Sequence, residues 1–235
     1  MKEMTLMQHF SELRRRILWI ALIFAISFVG GWYVSPYIQA GLSAPLLGVW
    51  DGGAMLYSGL SDGLMIRLSL ATLFALFIIM PVVLWHIWAF VAPGLKQNER
   101  RFVLPILIMS PVLFILGAGF AFYFLLPIIF KFFIELNQNS VVPGVLLPVA
   151  RDYLSFAVGM LKVFGVAFQL PLVMVLLNRI GVLSRARVIS MRRYAIIFIV
   201  VVAAILTPPD VVSQIMLALP MLLLFEFSIL FMRNK

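Results

Sequence analysis

Residues 68–91 read LSLATLFALFIIMPVVLWHIWAFV, a run without a single Asp, Glu, Lys or Arg. A helix needs about 20 predominantly apolar residues to cross the hydrocarbon core of a bilayer, so this run predicts a membrane-spanning helix. The whole chain agrees, because 64% of its 235 residues are hydrophobic and 11% are charged, against roughly 45–50% and about 25% in soluble domains. We therefore expect an all-α integral membrane protein whose apolar surface is solvated by lipid.

Five further apolar runs accompany this one and predict six transmembrane helices in a single domain covering residues 1–235. The predicted spans are 17–34, 68–91, 102–126, 154–177, 194–207 and 211–232. Helix-ending signals are expected at Ser35-Pro36, Pro93-Gly94, Pro127 and Pro208-Pro209. The fifth run has only about 14 residues, so it forms either a re-entrant hairpin with the sixth run or one of two short helices that thin the bilayer locally. Because the sixth run is long enough to cross, we expect a concave bundle ending in two short spans. The segments 35–67 and 126–153 are expected to form short helices at the outer surface.

The basic residues predict the orientation of the chain. If both termini are cytoplasmic, fourteen Lys and Arg residues fall in cytoplasmic segments and four fall elsewhere. Those four are Arg67, Lys131, Arg151 and Lys162. Cytoplasmic loops carry the excess of Lys and Arg in membrane proteins, so we expect both termini in the cytoplasm, in a cytoplasmic (inner) membrane. The net charge of +9 has the same explanation and does not require a nucleic acid partner.

Several kinds of chemistry are excluded by the residues available. The chain has no cysteine, which excludes disulfides, thiol catalysis and thiolate metal sites. His9 and His86 are far apart in sequence, and no nucleotide-binding loop or nucleophile–base pair occurs. We therefore expect no enzyme activity, no metal and no cofactor. Since no small-residue cleavage site follows the first apolar run, we expect a retained helix there and not a removed signal peptide.

Polar residues at membrane depth are costly and so mark candidate sites. Lys162 and Gln169 lie seven residues apart in the fourth predicted span and would share a helix face. Pro171 follows and frees a backbone carbonyl nearby. Two interpretations are open: a polar concavity inside the membrane, or a snorkelling lysine beside a glutamine that hydrogen-bonds a neighbouring helix. Asp210 directly precedes the sixth span and is expected to cap its N-terminus.

Two predicted cytoplasmic patches each contain one carboxylate among cations. In the first, Glu12 precedes Arg16 by four residues, an order that favours an ion pair on a helix. In the second, Glu99 lies between Lys96 and Arg100. Each patch is either an ordinary solvated helix start with lipid contacts or a binding surface. The residues alone leave two function classes open: a transporter for a small solute, or a receptor and translocation component for a peptide.

Runs along nearly the whole chain resemble the TatC family, the multi-spanning core subunit of the twin-arginine protein translocase. The first run is His9-Phe10-Ser11-Glu12-Leu13-Arg14-Arg15-Arg16 (family pattern H-L-x-E-L-R-x-R), and the second is Trp88-Ala89-Phe90-Val91-Ala92-Pro93-Gly94-Leu95 with Glu99-Arg100-Arg101 (W-x-F-x-x-P-G-L, then E-R). The third run is Phe168-Gln169-Leu170-Pro171 (F-E-x-P). The fourth is Thr207-Pro208-Pro209-Asp210 with Ser213-Gln214, Pro220 and Phe225-Glu226 (T-P-P-D, S-Q, P, then Y/F-E). No single motif is decisive, but the combination in this order is specific. The chain departs from the pattern at Phe10, where the family has Leu, and at Gln169, where it has Glu.

The resemblance implies a non-enzymatic translocase subunit. Such a protein binds the twin-arginine signal peptides of folded cargo at the cytoplasmic face. It recruits single-span TatA/TatB-like subunits for export driven by the proton-motive force, and it self-associates in a larger complex. The family's recognition residues correspond to Glu12, Arg14, Arg16, Phe90 and Glu99. Arginine–carboxylate pairing is strong and geometrically selective. Glu99 is therefore the first candidate partner for a signal-peptide guanidinium, and Glu12 is a second partner or an organiser of Arg14 and Arg16.

The resemblance also assigns roles to positions in and beyond the membrane. Thr207 and Gln214 would contact a partner helix through interhelical hydrogen bonds, and Pro45 would shape the outer cap. Gln169, with Lys162 on the same face, would form a polar spot inside the membrane. Glutamine keeps the shape and hydrogen bonding of glutamate but cannot titrate, so a mechanism that needs a protonatable carboxylate there is not expected.

Two alternatives make different predictions. An ion- or proton-coupled small-solute transporter would show broken helices from an internal repeat and a charged midplane site, and we find no convincing repeat in the sequence. A purely structural scaffold predicts that neither Glu12 nor Glu99 matters for function.

Overall fold

The computed structural model describes the backbone of residues 6–48, 55–91, 97–138, 147–179, 181–207 and 211–233, and side chains within these ranges except 6–10, 87–107 and 138. The helices are α1 (Leu6–Leu47), α2 (Asp62–Val91), α3 (Gln97–Phe120), α4 (Leu126–Gln138), α5 (Ala150–Ala167), α6 (Leu170–Arg179), α7 (Arg185–Ser190), α8 (Arg192–Leu206) and α9 (Val211–Phe231), with a π-helical segment Ala121–Leu125 between α3 and α4. Extended pairing in these ranges is limited to one parallel bridge between Leu56 and Val149. The predicted all-α class is confirmed.

Five described stretches are long and apolar enough to cross a membrane. They are Ser11–Leu47, Asp62–His86, Ile108–Asn137, Ala150–Arg179 and Val211–Phe231. Large apolar side chains are exposed along all of these helices, and a bilayer solvates such side chains. The protein is therefore a multi-pass membrane protein, while the exact number of spans and their orientation stay predictions.

The two last helices differ in length. Helix α8 has 15 residues and is about 22 Å long at 1.5 Å per residue, shorter than the roughly 30 Å hydrocarbon core. Helix α9 has 21 residues and reaches about 31 Å. The expectation of short final helices therefore holds for α8 alone. Within α8, Ile199 and Ala203 are buried, whereas most of its other side chains are exposed.

Helix α1 continues through the position where the sequence predicts its end. Pro36 has no N–H, so the carbonyl of Trp32 loses its usual backbone donor. The hydroxyl of Ser35 donates to that carbonyl at 2.8 Å. Because the freed acceptor is satisfied locally, the helix runs on to Leu47, and the predicted end at Ser35-Pro36 is wrong.

Pro127 also lies inside a continuous helical run and does not end it. A proline ring clashes with the carbonyl four residues earlier, here that of Tyr123. The π-helical segment widens the helix at this place, and the N–H of Leu126 donates to the carbonyl of Ala121. The wider turn accommodates the proline, and α3 continues into α4. Much of the two expected surface segments, 35–67 and 126–153, therefore extends the long helices.

The fourth predicted span is a broken helix, with α5 ending at Ala167 and α6 beginning at Leu170. Pro171 cannot donate to the carbonyl of Ala167, which is the group that the sequence indicated as freed. The N–H of Gln169 donates to Val166 at 2.9 Å, three residues back instead of four. The break therefore also removes the usual backbone donor from the carbonyl of Gly165.

Two glycines let α3 and α5 approach closely in the middle of the core. A Cβ on Gly117 would collide with the backbone oxygen of Phe164, and a Cβ on Gly165 would lie 2.6 Å from the ring of Phe114. Both phenylalanines are almost completely buried. Gly119, two residues further along α3, faces open space among the described residues. The α3–α5 contact therefore has no room for a side chain at Gly117 or Gly165.

Hydrogen bonds tie together the far end of the bundle, which is the end formed by Leu47, Asp62 and Ala150. The N–H of Leu56 donates to Pro148 at 2.9 Å, and the N–H of Ala150 donates to Leu56 at 2.8 Å. The hydroxyl of Tyr153 donates to the carbonyl of Leu42 at 2.6 Å and joins α5 to α1. The segments before α2 and α5 are thereby attached to each other and to α1.

Candidate functional site

The basic end of the bundle, which carries Arg14, Arg16 and Arg192, contains the predicted pair of Glu12 and Arg16. Arg16 Nε donates to Glu12 Oε1 at 3.2 Å, and Arg16 Nη2 contacts the same oxygen. These contacts do not use Oε2 of Glu12. The side chains of Glu12 and Arg16 are 26% and 20% exposed, so this ion pair is reachable from the surrounding solution. Arg14 is exposed, and within the described part of the chain Glu12 bonds to Arg16 and not to Arg14.

Arg16 also joins α1 to α2. Its Nη1 donates to the backbone carbonyl of His86 at 3.3 Å. Phe90 follows His86 by four residues on α2, which is about one helical turn. Arg16 therefore holds the Glu12 carboxylate beside the part of α2 that leads to Phe90. The side chains of Phe90 and Glu99 lie outside the described residues, so their place in this site stays a prediction.

Gln169 forms a buried link between α3 and the break after α5. Its Nε2 donates to the backbone carbonyl of Ser110 at 3.0 Å and lies 3.5 Å from the carbonyl of Gly165. The hydroxyl of Ser110 donates to Oε1 of Gln169. Gln169 is 7% exposed and Ser110 is fully buried. Of the two interpretations that the sequence leaves open for Gln169, the structure shows the interhelical hydrogen bond, and the amide also serves the carbonyl freed at Gly165.

Lys162 lies on α5, seven residues before Gln169, and is partly exposed. The described residues provide no ion-pair partner for its ammonium group, and the bonds of Gln169 go to Ser110 and Gly165. The structure therefore does not join these two residues into one hydrogen-bonded site.

Thr207 lies at the end of α8, and Gln214 lies in the first turn of α9. The hydroxyl of Thr207 donates to the carbonyl of Ala203 in its own helix at 3.0 Å. Gln214 Nε2 donates to the carbonyl of Val200 at 3.1 Å, from α9 to α8. Both donors are thus engaged within the chain, and a contact with a partner helix stays a prediction.

The two remaining predicted positions lie close to helix ends. Pro45 is buried in the last turns of α1. Asp210 directly precedes α9, and it lies outside the described residues.

The match to known proteins identifies the family to which this chain belongs. The family described as Sec-independent protein translocase protein (TatC) matches residues 8–220. The chain belongs to the TatC family. A TatC protein of Magnetococcus marinus is 38% identical over 230 residues, which are 97% of this chain and 84% of that protein. A TatCy protein of Bacillus subtilis is 32% identical over 232 residues, covering 97% and 88% of the two chains.

Solved structures extend the likeness to the TatC fold. A crystal structure of the twin arginine translocase receptor TatC superposes with a TM-score of 0.86 at 32% identity and covers 95% of this chain and 97% of that one. A second structure, of the same receptor in the detergent DDM, gives a TM-score of 0.87 and covers 96% and 99%. The chain is thus a subunit of a Sec-independent protein translocase and not an enzyme, and the small-solute transporter is not favoured.

Several buried polar residues of this TatC-family chain were not predicted from the sequence, and the first is Asp62. It begins α2 and is 2% exposed. Its Oδ2 accepts from the N–H groups of Ser58 and Gly59 at 2.9 and 2.8 Å, and Arg151 Nη1 lies 3.4 Å from Oδ1. An aspartate before an apolar run is a helix-start signal that could have identified it.

The second is Asn178, near the end of α6 and 2% exposed. Its Nδ2 donates to the carbonyls of Leu183 and Arg233 at 2.9 and 3.3 Å, while its Oδ1 accepts from the N–H of Arg233 at 2.7 Å. Asn178 thereby ties the end of α9 to the end of α6. Gly181, with φ of 81°, is the usual sign of a helix end nearby, but it does not indicate this long-range partner.

An exposed ion pair joins the basic ends of α8 and α9. Arg192 Nη2 lies 2.7 Å from Glu226 Oε2, and the two side chains are 45% and 47% exposed. Among the side chains that the structure describes, no group of three or more His, Asp or Glu residues lies together as a metal-ligand set.

Proposed function

We propose that this TatC-family protein is the signal-peptide receptor of a twin-arginine translocase, with Glu12 and Glu99 facing the cytoplasm in the inner membrane. One observation carries the proposal: Arg16 holds the carboxylate of Glu12 against α2 through the carbonyl of His86 and leaves Oε2 out of these bonds. A carboxylate held in this way suits an incoming guanidinium, because charge-assisted hydrogen bonds to carboxylates are strong and directional.

The family resemblance supports a second carboxylate, Glu99, at the same end of the bundle. It lies in the first turn of α3, after the connection from the α2 turn that Arg16 contacts. Two guanidinium groups on one peptide need two acceptors, and arginine is preferred to lysine because its planar fork binds carboxylates in a bidentate manner. Glu99 is therefore the direct partner in this proposal, and Glu12 is the second.

The same proposal includes recruitment of single-span TatA/TatB-like subunits for export of folded cargo driven by the proton-motive force. Ile199 and Ala203 are the buried side chains of α8, so a long apolar face is available to another membrane helix. Thr207 and Gln214 lie at one end of that face.

The receptor proposal is tested by crosslinking in membranes. A photoreactive twin-arginine signal peptide is offered to the wild-type protein, to Glu99→Ala and to Glu12→Ala, together with a peptide in which both arginines are replaced by lysine. We expect each variant to lower crosslinking at the basic end by about tenfold or more, since a hydrogen bond to a charged group contributes roughly 1.5–3 kcal/mol. The lysine peptide should also crosslink weakly.

Glu135→Ala is the matched control, because Glu135 is an exposed glutamate on α4 whose recorded partner is Lys131, on the same helix. This variant should crosslink like the wild type. Equal crosslinking in all variants, or equal crosslinking of the arginine and lysine peptides, would contradict the receptor proposal and support a purely structural role for both carboxylates.

A further inference from the structure

We propose that the connection between α6 and α8 is a binding surface for anionic phospholipid headgroups. We name residues 179–193 the arginine turn. It contains Arg179, Arg185, Arg187, Arg192 and Arg193 and no Asp or Glu. The two predicted patches around Glu12 and Glu99 each combine a carboxylate with cations. The arginine turn has cations alone, so its chemistry suits an anion and not the guanidinium groups of a signal peptide.

Glu226 is an acidic residue that the structure places against the arginine turn, and it already pairs with Arg192. The side chains of Arg187 and Arg193 are exposed, and the described residues bring no carboxylate to either of them. Two exposed cations to which the described residues bring no carboxylate attract an anion from the surroundings. Phospholipid phosphates are the anions present at that depth.

Apolar side chains of the arginine turn are exposed beside these cations. Val182 is 62% exposed, Ile189 is 40% exposed and Met191 is 48% exposed. Water would disfavour this exposure, whereas the boundary between headgroups and acyl chains accepts apolar and cationic side chains together. The mixture therefore favours a lipid surface as the occupant over a soluble anion.

Tyr194 strengthens this assignment at the start of α8. The guanidinium of Arg193 lies 4.7 Å from the centre of the Tyr194 ring and donates to its hydroxyl at 2.9 Å. Tyrosine is enriched at the interface of a bilayer with water. This contact places a cation and an interfacial aromatic side by side, where α8 enters the membrane.

The shortness of α8 gives the lipid contact a mechanical role. A helix of about 22 Å matches the bilayer only if the headgroups approach its ends. Phosphates held by Arg187 and Arg193 would keep the headgroups at the basic end of α8. The surface thus recruits anionic lipid and stabilises a thinned bilayer beside α8.

The test measures lipid binding by the purified full-length protein in a non-ionic detergent. Wild type and the double variant Arg187→Gln/Arg193→Gln are titrated with phosphatidylglycerol or phosphatidylcholine, and bound lipids are counted by native mass spectrometry. We expect the wild type to prefer phosphatidylglycerol and the double variant to lose about 25-fold in affinity for it, because each of the two basic residues near an anionic surface contributes about fivefold. Binding of phosphatidylcholine should not change.

Two further variants and one ligand make the result specific. Lys131→Gln removes an exposed cation on α4 and should bind like the wild type, while Arg187→Lys/Arg193→Lys should retain most of the affinity. The proposal is overturned if the Gln double variant keeps wild-type affinity or if both lipids bind equally. It is also overturned if soluble glycerol phosphate binds as tightly as the lipid. Signal-peptide crosslinking of the Gln double variant should stay normal, which separates this proposal from the receptor function.

Discussion

Two polar pairs of this protein, Glu12–Arg16 and Ser110–Gln169, differ in charge and burial. Glu12 and Arg16 are charged and 26% and 20% exposed, and the contacts from Arg16 use one carboxylate oxygen of Glu12. Ser110 and Gln169 are neutral and buried, and the Gln169 amide uses both its nitrogen and its oxygen within the chain. A polar pair whose hydrogen bonds are complete stabilises the bundle, whereas a charged pair with an oxygen outside its bonds can accept a ligand.

The largest expected effect comes from disrupting the contact between α3 and α5 near the buried Ser110–Gln169 pair. Gly117→Ala places a Cβ against the backbone oxygen of Phe164, which cannot move without shifting α5. We expect the free energy of unfolding to fall by about 3 kcal/mol, the upper range for overpacking, and the Ser110–Gln169 link to weaken. Thermal unfolding in a mild detergent measures the change.

Gly119→Ala is the control for this prediction, since a Cβ there meets open space among the described residues. It should be neutral or slightly stabilising, because alanine has the higher helix propensity. Equal destabilisation by both substitutions would mean that the α3–α5 contact is not as close as described.

A smaller effect is expected from changing the Ser110–Gln169 pair itself. Gln169→Leu leaves the buried hydroxyl and carbonyl of Ser110 without their partner, at a cost of about 1–3 kcal/mol. In a double-mutant cycle with Ser110→Ala, unfolding measurements should give a coupling of about 0.6–1.7 kcal/mol, the range for hydrogen bonds between membrane helices. A coupling near zero would show that the two residues do not share a hydrogen bond.

The smallest effect is expected for the exposed ion pair of Arg192 and Glu226. Arg192 and Glu226 are nearly half exposed, and such pairs contribute about 0–1 kcal/mol. Glu226→Gln should therefore change the unfolding midpoint little, and the change should vanish in high salt. A loss of stability as large as that of Gln169→Leu would contradict the distinction between exposed ion pairs and buried hydrogen-bonded pairs.

Much of the fold follows from the apolar runs, but the effect of each proline depends on its neighbours. Pro171 coincides with a break inside a run that the sequence predicts as one span, whereas Pro36 and Pro127 lie within continuous helices. The hydroxyl of Ser35 replaces the missing donor near Pro36, and a π-helical segment makes room near Pro127. Proline rules describe what a proline removes, and they do not describe which neighbouring groups replace it.

The candidate sites show a similar division. The i,i+4 pairing of Glu12 with Arg16 was predictable because it is local, and the structure confirms it. The bonds of Gln169 to Ser110, of Asn178 to Arg233 and of Asp62 to Arg151 join residues 55 to 89 positions apart. Such partners depend on how the helices pack, and the spacing of residues along one chain does not contain that information.

The sparse burial along α8 has a practical consequence for work with the purified protein. Ile199 and Ala203 are the side chains of α8 that are buried in the core. The position of the helix therefore depends strongly on the surrounding lipid or detergent. We therefore expect the choice of detergent or lipid during purification to affect whether α8 keeps its native position. Preparations in a long-chain detergent and in a thin bilayer should differ in proteolytic sensitivity around residues 192–206, even when the α3–α5 core is the same.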